Sequence, residues 1–156
     1  GDWFDSFGNM LAILSGIADE EKTNKVLDFA AYAGVQSPYP MKAIYPPVFP
    51  GDREWREYYK KAMLNYPYQY HNGGIWPFLG GFYVAALVKA GRKEEAEKQL
   101  EALAKVNQVG KAGEWEFNEW LHGISGHPMG KEKQAWSAGM YVFAYHCVKS
   151  ANVPLL

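Results

Sequence analysis

Apolar residues recur at three- and four-residue intervals over several stretches of the chain, a pattern typical of helices that bury one face. The first stripe, at residues 6–16, can be capped at its start by Asp5 or Ser6. A second stripe follows the acidic run at residues 19–21 and stops near Gly34, a residue type that commonly ends helices. Together the two stripes predict one helical hairpin.

A second hairpin is predicted further along the chain. Residues 75–89 and 93–106 carry helical stripes on either side of a short turn at residues 90–92. The second helix of each hairpin begins with an acidic run. Glu20 in the first hairpin corresponds to Glu94 in the second, 74 residues later. Tetratricopeptide solenoids repeat at about 34 residues, so this period is too long for them. Paired helices joined by long loops favour a toroid of helical hairpins.

The segments between and after the hairpins are less regular. The prolines of residues 37–50 exclude a helix interior and, together with their apolar neighbours, predict an ordered loop at the edge of a site. We expect residues 52–64 to return to helix, and a last helix to occupy residues 134–149. The chain is therefore predicted to be all-α.

Composition argues against several classes of function. A formal net charge of −1 provides no field that would gather nucleic acid or anionic lipid. The apolar run at residues 78–88 is interrupted by two glycines and falls short of the roughly 20 residues of a membrane span. Cys147 is the only cysteine, which fits a reducing compartment such as the cytoplasm.

No cofactor is predicted for this chain. It has no glycine loop followed by the lysine of a phosphate site. His122 and His127 lie near Glu119, but their spacing matches no strong metal-ligand signature, so no metal is expected. Aromatic residues make up 16% of the chain, more than a small core needs, and we expect some of them to line a cleft.

The turn at residues 70–77 combines polar groups, aromatic faces and two glycines at the start of a helix. The side chains of His71 and Asn72 supply donors and acceptors for hydroxyl groups, and Pro77 suits a first helical turn. The alternative is structural, with Asn72 only a cap and Trp76 only core. Spacing alone leaves both interpretations open.

Residues 114–120 place three glutamates among three aromatic residues. Such surroundings can exclude water, raise a carboxyl pKa and stack a sugar ring, so a carboxylate here can act as a general base. The alternative is an amphipathic segment whose glutamates face solvent. The pattern by itself does not decide which of Glu114, Glu116 and Glu119 faces the cleft.

Three segments resemble those of the alkaline and neutral invertases and, more loosely, of debranching glucosidases. Residues 70–77 are similar to the YHNGG-WP segment of the invertases, residues 4–13 to their FD-x-x-GN-x-LAI helix, and residues 134–139 to their QTW-x-x-AG helix. The segments occur in the same order as in the family and span almost the whole chain. The resemblance implies an (α/α)6 barrel of six hairpins and an enzyme that hydrolyses a disaccharide or oligosaccharide.

The resemblance also implies roles for individual residues. In the family a glutamate 18 residues before the glutamine of the last segment is the base that activates water, and this position is Glu116. Trp115 directly precedes it where the family has Trp-Pro, so Glu114 and Glu119 stay rivals for the role. The substrate-binding residues that the resemblance implies are Asp5, Tyr70, His71, Asn72, Trp76, Trp115, Gln134 and Trp136.

Inverting hydrolysis needs a second carboxyl, the general acid, roughly 6.5–9.5 Å from the base. In the family this acid precedes every segment that matches here, so we expect the chain to lack it and to be inactive alone. With two to three hairpins out of six, residues 1–156 are predicted to be one domain, the C-terminal portion of a barrel and an incomplete toroid. Such a toroid needs its missing N-terminal half or further copies of itself.

Two interpretations without catalysis stand beside this one. Residues 90–96 resemble the turn of a tetratricopeptide repeat, which would suit a helical binding module. The chain could also serve assembly only, with barrel packing kept and the site lost.

Overall fold

The computed structural model describes residues 3–154, apart from the side chain of Ala62. Within that range the chain is mostly helical with one small two-stranded sheet, which confirms the predicted all-α class. The elements in chain order are β1 (Phe4–Asp5), α1 (Ser6–Leu14), α2 (Glu20–Tyr32), β2 (Ile44–Tyr45), a 3-10 helix (Glu57–Met63), α3 (Pro77–Lys89), α4 (Lys93–Gln108) and α5 (Ala135–Ser150).

Side-chain caps define the starts of the first two helices. Asp5 caps α1, because its carboxylate accepts a hydrogen bond from the backbone N–H of Phe7 at 3.1 Å. Asp19 caps α2 by accepting from the N–H of Lys22 at 2.8 Å. These bonds satisfy donors that the first turn of a helix leaves unpaired. The helix bounds therefore follow the capping and periodicity signals in the sequence.

One predicted helix is wrong. Residues 52–64 form only the short 3-10 helix, on which Tyr58 and Met63 are largely exposed. The charged and aromatic residues of this segment supply no continuous apolar stripe, and helical stability in proteins comes mostly from packing such a stripe. The segment instead takes an irregular course towards residue 65.

Helix α3 lies at the centre of the structure, packed against α1, α4 and α5, while α4 also packs against α5. Two glycines allow this close packing. A Cβ on Gly80 would lie 2.6 Å from the carbonyl oxygen of Pro40, and one on Gly81 would lie 2.7 Å from that of Met140 on α5. The other buried residues of α3 are Pro77, Leu79, Tyr83, Val84, Ala85, Ala86 and Leu87. Helix α3 thus packs against both α1 and α5, and closure of these helices into a barrel stays a prediction.

The proline-rich loop is ordered, as predicted. Its residues Met41, Ala43 and Val48 are buried in or beside the core. The strand pair β1–β2 is antiparallel and joins this loop to the start of α1. The pairing brings the proline-rich loop, the N-terminus of α1 and the turn before α3 to the same end of the helices.

The described residues contain neither a membrane-spanning helix nor a metal-binding cluster. Between residues 3 and 154, no helix is long and apolar enough to cross a bilayer. Over the same range, no group of three His, Cys, Asp or Glu side chains is placed to hold a metal ion. The single cysteine, Cys147, is buried on α5.

Candidate active site

The turn before α3 is held in a conformation that few residue types allow. Tyr70 has a φ of 44° and Gly73 one of 89°, and a Cβ on Gly74 would lie 2.5 Å from the carbonyl oxygen of Tyr70. The backbone N–H groups of Ile75 and Leu121 each donate to the carbonyl oxygen of the other at 2.8 Å. The turn is therefore fixed against the segment that carries the candidate glutamates.

The ring of His71 lies over Trp76, which is itself 4% exposed. The indole N–H of Trp76 donates to the carbonyl oxygen of Tyr70 at 3.0 Å, and the Tyr70 ring packs against both Trp76 and Trp120. Burial of the stacked face lowers the pKa of His71, and the charge of Glu119 partly offsets this. The imidazole is thus held neutral at pH 7, able to donate from one nitrogen and accept at the other.

Asn72 joins three segments through its side chain. Its amide oxygen accepts from the N–H of Val48 at 2.7 Å, and its amide nitrogen donates to the carbonyl oxygens of Val48 at 2.8 Å and Asn65 at 3.0 Å. The residue is 4% exposed. Most of its hydrogen-bonding capacity is thus engaged by backbone groups.

His71 lines two cavities. The first, of about 220 Å³, is lined by Asp5, by aromatic rings including Trp76 and Phe78, and by Ile44. The second, of about 230 Å³, lies on the side of Asn72 and is also lined by Ile44. The predicted residues Asp5, His71 and Trp76 are therefore brought together around one cavity, and Asn72 lies at the other.

Glu116 does not line either cavity. Its carboxylate accepts hydrogen bonds from the backbone N–H groups of Lys111 at 2.7 Å, Ala112 at 3.0 Å and Gly113 at 3.0 Å. These donors stabilise the ionised form and hold the pKa of Glu116 below its usual value. The carboxylate closes the turn at residues 110–113, where Gly110 leaves room for it because a Cβ there would lie 2.7 Å from the Glu116 side chain.

Glu119 differs from Glu116 in its electrostatic effect on His71. It is half-buried, directly before the buried Trp120, and its charge acts on His71. One carboxylate oxygen accepts from the backbone N–H of Lys131 at 3.2 Å. The third candidate, Glu114, is exposed. None of the three glutamates lines either cavity, and Glu119 is the one whose charge raises the pKa of His71.

The other predicted residues lie on the same segments as Glu116. Trp115 is 50% exposed and has a φ of 60°, and Phe117 beside it has a φ of 49°. Gln134 is the N-terminal flanking residue of α5, and Trp136 in its first turn is 50% exposed. The exposed faces of Trp115 and Trp136 are available for stacking, but neither ring lines the two cavities around His71.

Sequence reasoning missed part of the cavity walls. Tyr59 and Asn65 line the second cavity, and Phe7 and Phe78 line the first. The two phenylalanines lie on apolar helical stripes, a pattern that predicts core residues. Tyr59 and Asn65 belong to an irregular segment, where no periodic pattern indicates which way a side chain points.

The model of the alkaline and neutral invertase family matches residues 2–151, nearly the whole chain. The chain belongs to that family. The resemblance read from its motifs is thus confirmed.

Individual relatives agree with the family match. Probable alkaline/neutral invertase F of Arabidopsis thaliana is 33% identical over 148 residues, covering 91% of this chain and 28% of the relative. Cytosolic invertase 1 of Oryza sativa subsp. japonica is 32% identical over 147 residues, covering 91% of this chain and 25% of the relative. Alkaline/neutral invertase E, chloroplastic, of Arabidopsis thaliana is 37% identical over 100 residues, or 63% of this chain and 16% of the relative. The chain spans about a quarter or less of the length of these relatives.

Proposed function

We propose that this chain forms one side of the active site of an invertase-type glycoside hydrolase, which cleaves a disaccharide such as sucrose. The observation that carries the proposal is the cavity that His71 lines together with Asp5 and the aromatic residues Trp76 and Phe78. Aromatic faces with a few polar groups suit a sugar ring, which has apolar faces and a rim of hydroxyls. Membership of the invertase family supports the same reaction.

The general base in this proposal is Glu119 rather than Glu116. A carboxylate that already accepts three backbone hydrogen bonds has a lowered pKa and is a weaker base. Glu119 accepts one such bond, at 3.2 Å, and its charge reaches His71. The family spacing of 18 residues, counted back from Gln134, implies Glu116 as the base. This count assumes that the segment between the two residues has the same length as in the family.

The remaining residues bind and orient the sugar. The neutral imidazole of His71 exchanges hydrogen bonds with ring hydroxyls, and Asp5 accepts from others while its second oxygen caps α1. Trp76 provides the wall against which His71 is held. Asn72 acts on the site by fixing the loops around Val48 and Asn65.

Hydrolysis then proceeds with inversion, as the resemblance implies. Glu119 takes a proton from a water molecule, which attacks the anomeric carbon, and a general acid on the opposite face protonates the leaving oxygen. That acid comes from a part of the protein outside this sequence, so residues 1–156 alone are inactive. No cofactor enters the reaction, and we place the protein in the cytoplasm on the strength of its similarity to a cytosolic relative.

The test compares two glutamates in the complete protein. Glu119→Gln is expected to lower the rate of sucrose hydrolysis by at least about 100-fold, the scale of losing acid–base catalysis, with sugar binding retained. Glu116→Gln should change the rate far less. A larger loss of rate in Glu116→Gln than in Glu119→Gln would assign the general base to Glu116. Normal rates in both variants would show that neither glutamate takes part in catalysis.

The groove between α4 and α5 supports the need for a partner. A groove of about 540 Å³ between α4 and α5 is lined by Leu100, Tyr141, Tyr145 and Val148, and Tyr145 is 41% exposed. We propose that further helices of the same protein cover it, because the relatives are about four times longer than this chain. The mass in solution of residues 1–156 alone tests this. A stable monomer would contradict it, whereas self-association or insolubility is expected.

A further inference from the structure

The bend at residues 129–131 lies against the segment that carries the proposed general base. The backbone N–H of Glu119 donates to the carbonyl oxygen of Lys131 at 2.7 Å. The N–H of Met129 donates to the carbonyl oxygen of Trp120 at 2.9 Å. These two bonds fix the backbone of the bend relative to the backbone of the base.

The two oxygens of the Glu119 carboxylate have different surroundings. Oε2 accepts a hydrogen bond from the backbone N–H of Lys131 at 3.2 Å. Within residues 3–154, no hydrogen bond engages Oε1. The residue is half-buried, so solvent reaches part of it. A general base needs only one oxygen to take the proton, and a contact to the other oxygen can set the direction of the carboxylate.

Gly130 has a conformation and a position that exclude a side chain. Its φ of 58° lies in the left-handed region, which favours glycine. A Cβ at this position would lie 2.8 Å from Oε2 of Glu119 and 2.5 Å from Cδ1 of Trp120. The Trp120 ring is 1% exposed and belongs to the packed core, so it has no room to move aside. A side chain at residue 130 would therefore displace the carboxylate.

Lys111 makes a further contact to the bend. Its Nζ donates to the carbonyl oxygen of Gly130 at 2.5 Å. Its backbone N–H donates to the Glu116 carboxylate at 2.7 Å. The turn that Glu116 closes is thus connected to the bend beside Glu119. Lys111 is exposed, so water competes for its hydrogen bond and we expect this contact to contribute less than the packing of Gly130.

We infer that Gly130 is a positioning residue for the general base. Because residue 130 has no side chain, the bend comes close enough for the N–H of Lys131 to hold Oε2, and Oε1 is left to take the proton from water. Gly130 itself touches no substrate and acts through Glu119. This inference rests on the proposed function. It adds the part of the fold that sets the direction of the base.

The experiment measures kcat and KM for sucrose hydrolysis in the complete protein. Gly130→Ala is expected to lower kcat by about 10- to 100-fold, the scale of misplacing a catalytic group by about 1 Å, with KM nearly unchanged. Gly91→Ala is the matched control. Gly91 also has a positive φ, of 73°, but no atom lies within 4 Å of a Cβ there, so both constants should keep their wild-type values.

A double-mutant cycle separates positioning from a general effect on folding. Glu119→Asp shortens the side chain by one methylene and withdraws the carboxylate from residue 130. In that background Gly130→Ala should lower kcat by less than about threefold, because the two substitutions act on the same contact. An equal loss of kcat in both backgrounds would overturn the inference, since it would show that residue 130 does not act through the carboxylate.

Lys111 provides a second test on an exposed residue, should Gly130→Ala fail to fold. Lys111→Met should lower kcat by about threefold, the scale of one hydrogen bond in contact with water, and Lys111→Arg should restore it. Normal kcat in Lys111→Met, or in folded Gly130→Ala, would overturn the inference. Normal hydrolysis by Glu119→Gln would instead refute the proposed base. Failure of the positioning role is therefore seen as normal kcat in these variants beside an inactive Glu119→Gln.

Discussion

The imidazole of His71 lies parallel to the indole of Trp76, with ring centroids 4.8 Å apart and 4° between the planes. Trp76 is buried and precedes the first turn of α3, so the stack ties His71 to the central helix of the structure. His71 lies in a loop, and the stack holds it in one orientation beside both cavities. The stack therefore transmits the rigidity of the core to the proposed site.

The first prediction separates the stacking of His71 from its hydrogen bonding. His71→Phe keeps an aromatic ring over Trp76 but removes both nitrogens, so sucrose hydrolysis should fall by about tenfold or more with little change in the unfolding temperature. His71→Ala should lower both. Equal hydrolysis by the Phe variant and the wild type would show that no hydrogen bond from His71 matters.

The second prediction concerns the pH dependence of stability at His71. Its folded-state pKa is lowered, chiefly by burial, below the unfolded value of 6.5. The contribution to stability is therefore complete above pH 6.5 and is lost as the pH falls through the folded-state pKa. Thermal unfolding between pH 8 and pH 5 should show the wild type losing stability relative to His71→Phe. A constant difference over this range would contradict the lowered pKa.

The third prediction tests the anchoring role of Glu116. Glu116→Gln should lower the unfolding temperature at pH 7, because a neutral amide oxygen is a weaker acceptor for the three N–H groups of residues 111–113. The folded-state pKa of Glu116 is lowered from 4.5, so its contribution is present above pH 4.5 and is lost as the pH falls through the folded-state pKa. The difference between wild type and variant should shrink at pH 3.

Glu114→Gln is the matched control for this experiment. Glu114 is exposed and lies in the same segment, so the substitution should leave the unfolding temperature nearly unchanged at both pH values. An equal effect of the two substitutions would argue against a specific role for the Glu116 carboxylate.

The fourth prediction uses two glycines on neighbouring helices. Gly81→Ala should lower the free energy of unfolding by about 1–3 kcal/mol, because the new methyl group meets the backbone of Met140. Gly139→Ala should raise it by about 0.5–1 kcal/mol, since no atom lies within 4 Å of the new Cβ and alanine favours a helix interior. Denaturant unfolding measures both. Similar values would show that α3 and α5 can separate at little cost.

The fifth prediction concerns the hydrogen bonds that the Asn72 side chain makes to the backbone of Val48. Asn72→Ala leaves the buried N–H and C=O of Val48 without the partners they have in the structure, which should cost about 1–3 kcal/mol of unfolding free energy. Hydrogen exchange at the Val48 amide should become faster. Asn24→Ala, on the exposed face of α2, provides the control. Unchanged protection of Val48 would mean that the loop is held by other contacts.

Much of the helical framework could be predicted from the sequence. Apolar stripes give the helix faces, and local signals such as the cap at Asp5 and the glycine at Gly34 mark helix ends, because these signals act within about one helical turn. The prediction was wrong at residues 52–64, where no stripe supports a helix. The motif at residues 70–77 indicated a site, and the structure places its His71 between two cavities.

The sequence could not indicate in the same way which of the three glutamates acts as the general base. Glu116 and Glu119 are three residues apart in an irregular segment, where Trp115 and Phe117 both adopt a positive φ. The direction of each side chain there depends on backbone hydrogen bonds to residues 107, 108, 131, 133 and 134, which lie beyond the reach of one helical turn. Periodicity carries no information about such a segment.

The amino-acid sequence by itself thus determined the helices, the family and the turn that carries His71, because stripes, caps and motifs are local in the chain. Only the tertiary structure decided which residues surround His71, with Asp5 and Trp76 at one cavity and Tyr59 and Asn65 at the other. The physical reason is that these relationships arise where irregular loops converge. Long-range hydrogen bonds such as those of Asn72, rather than local propensity, set their geometry.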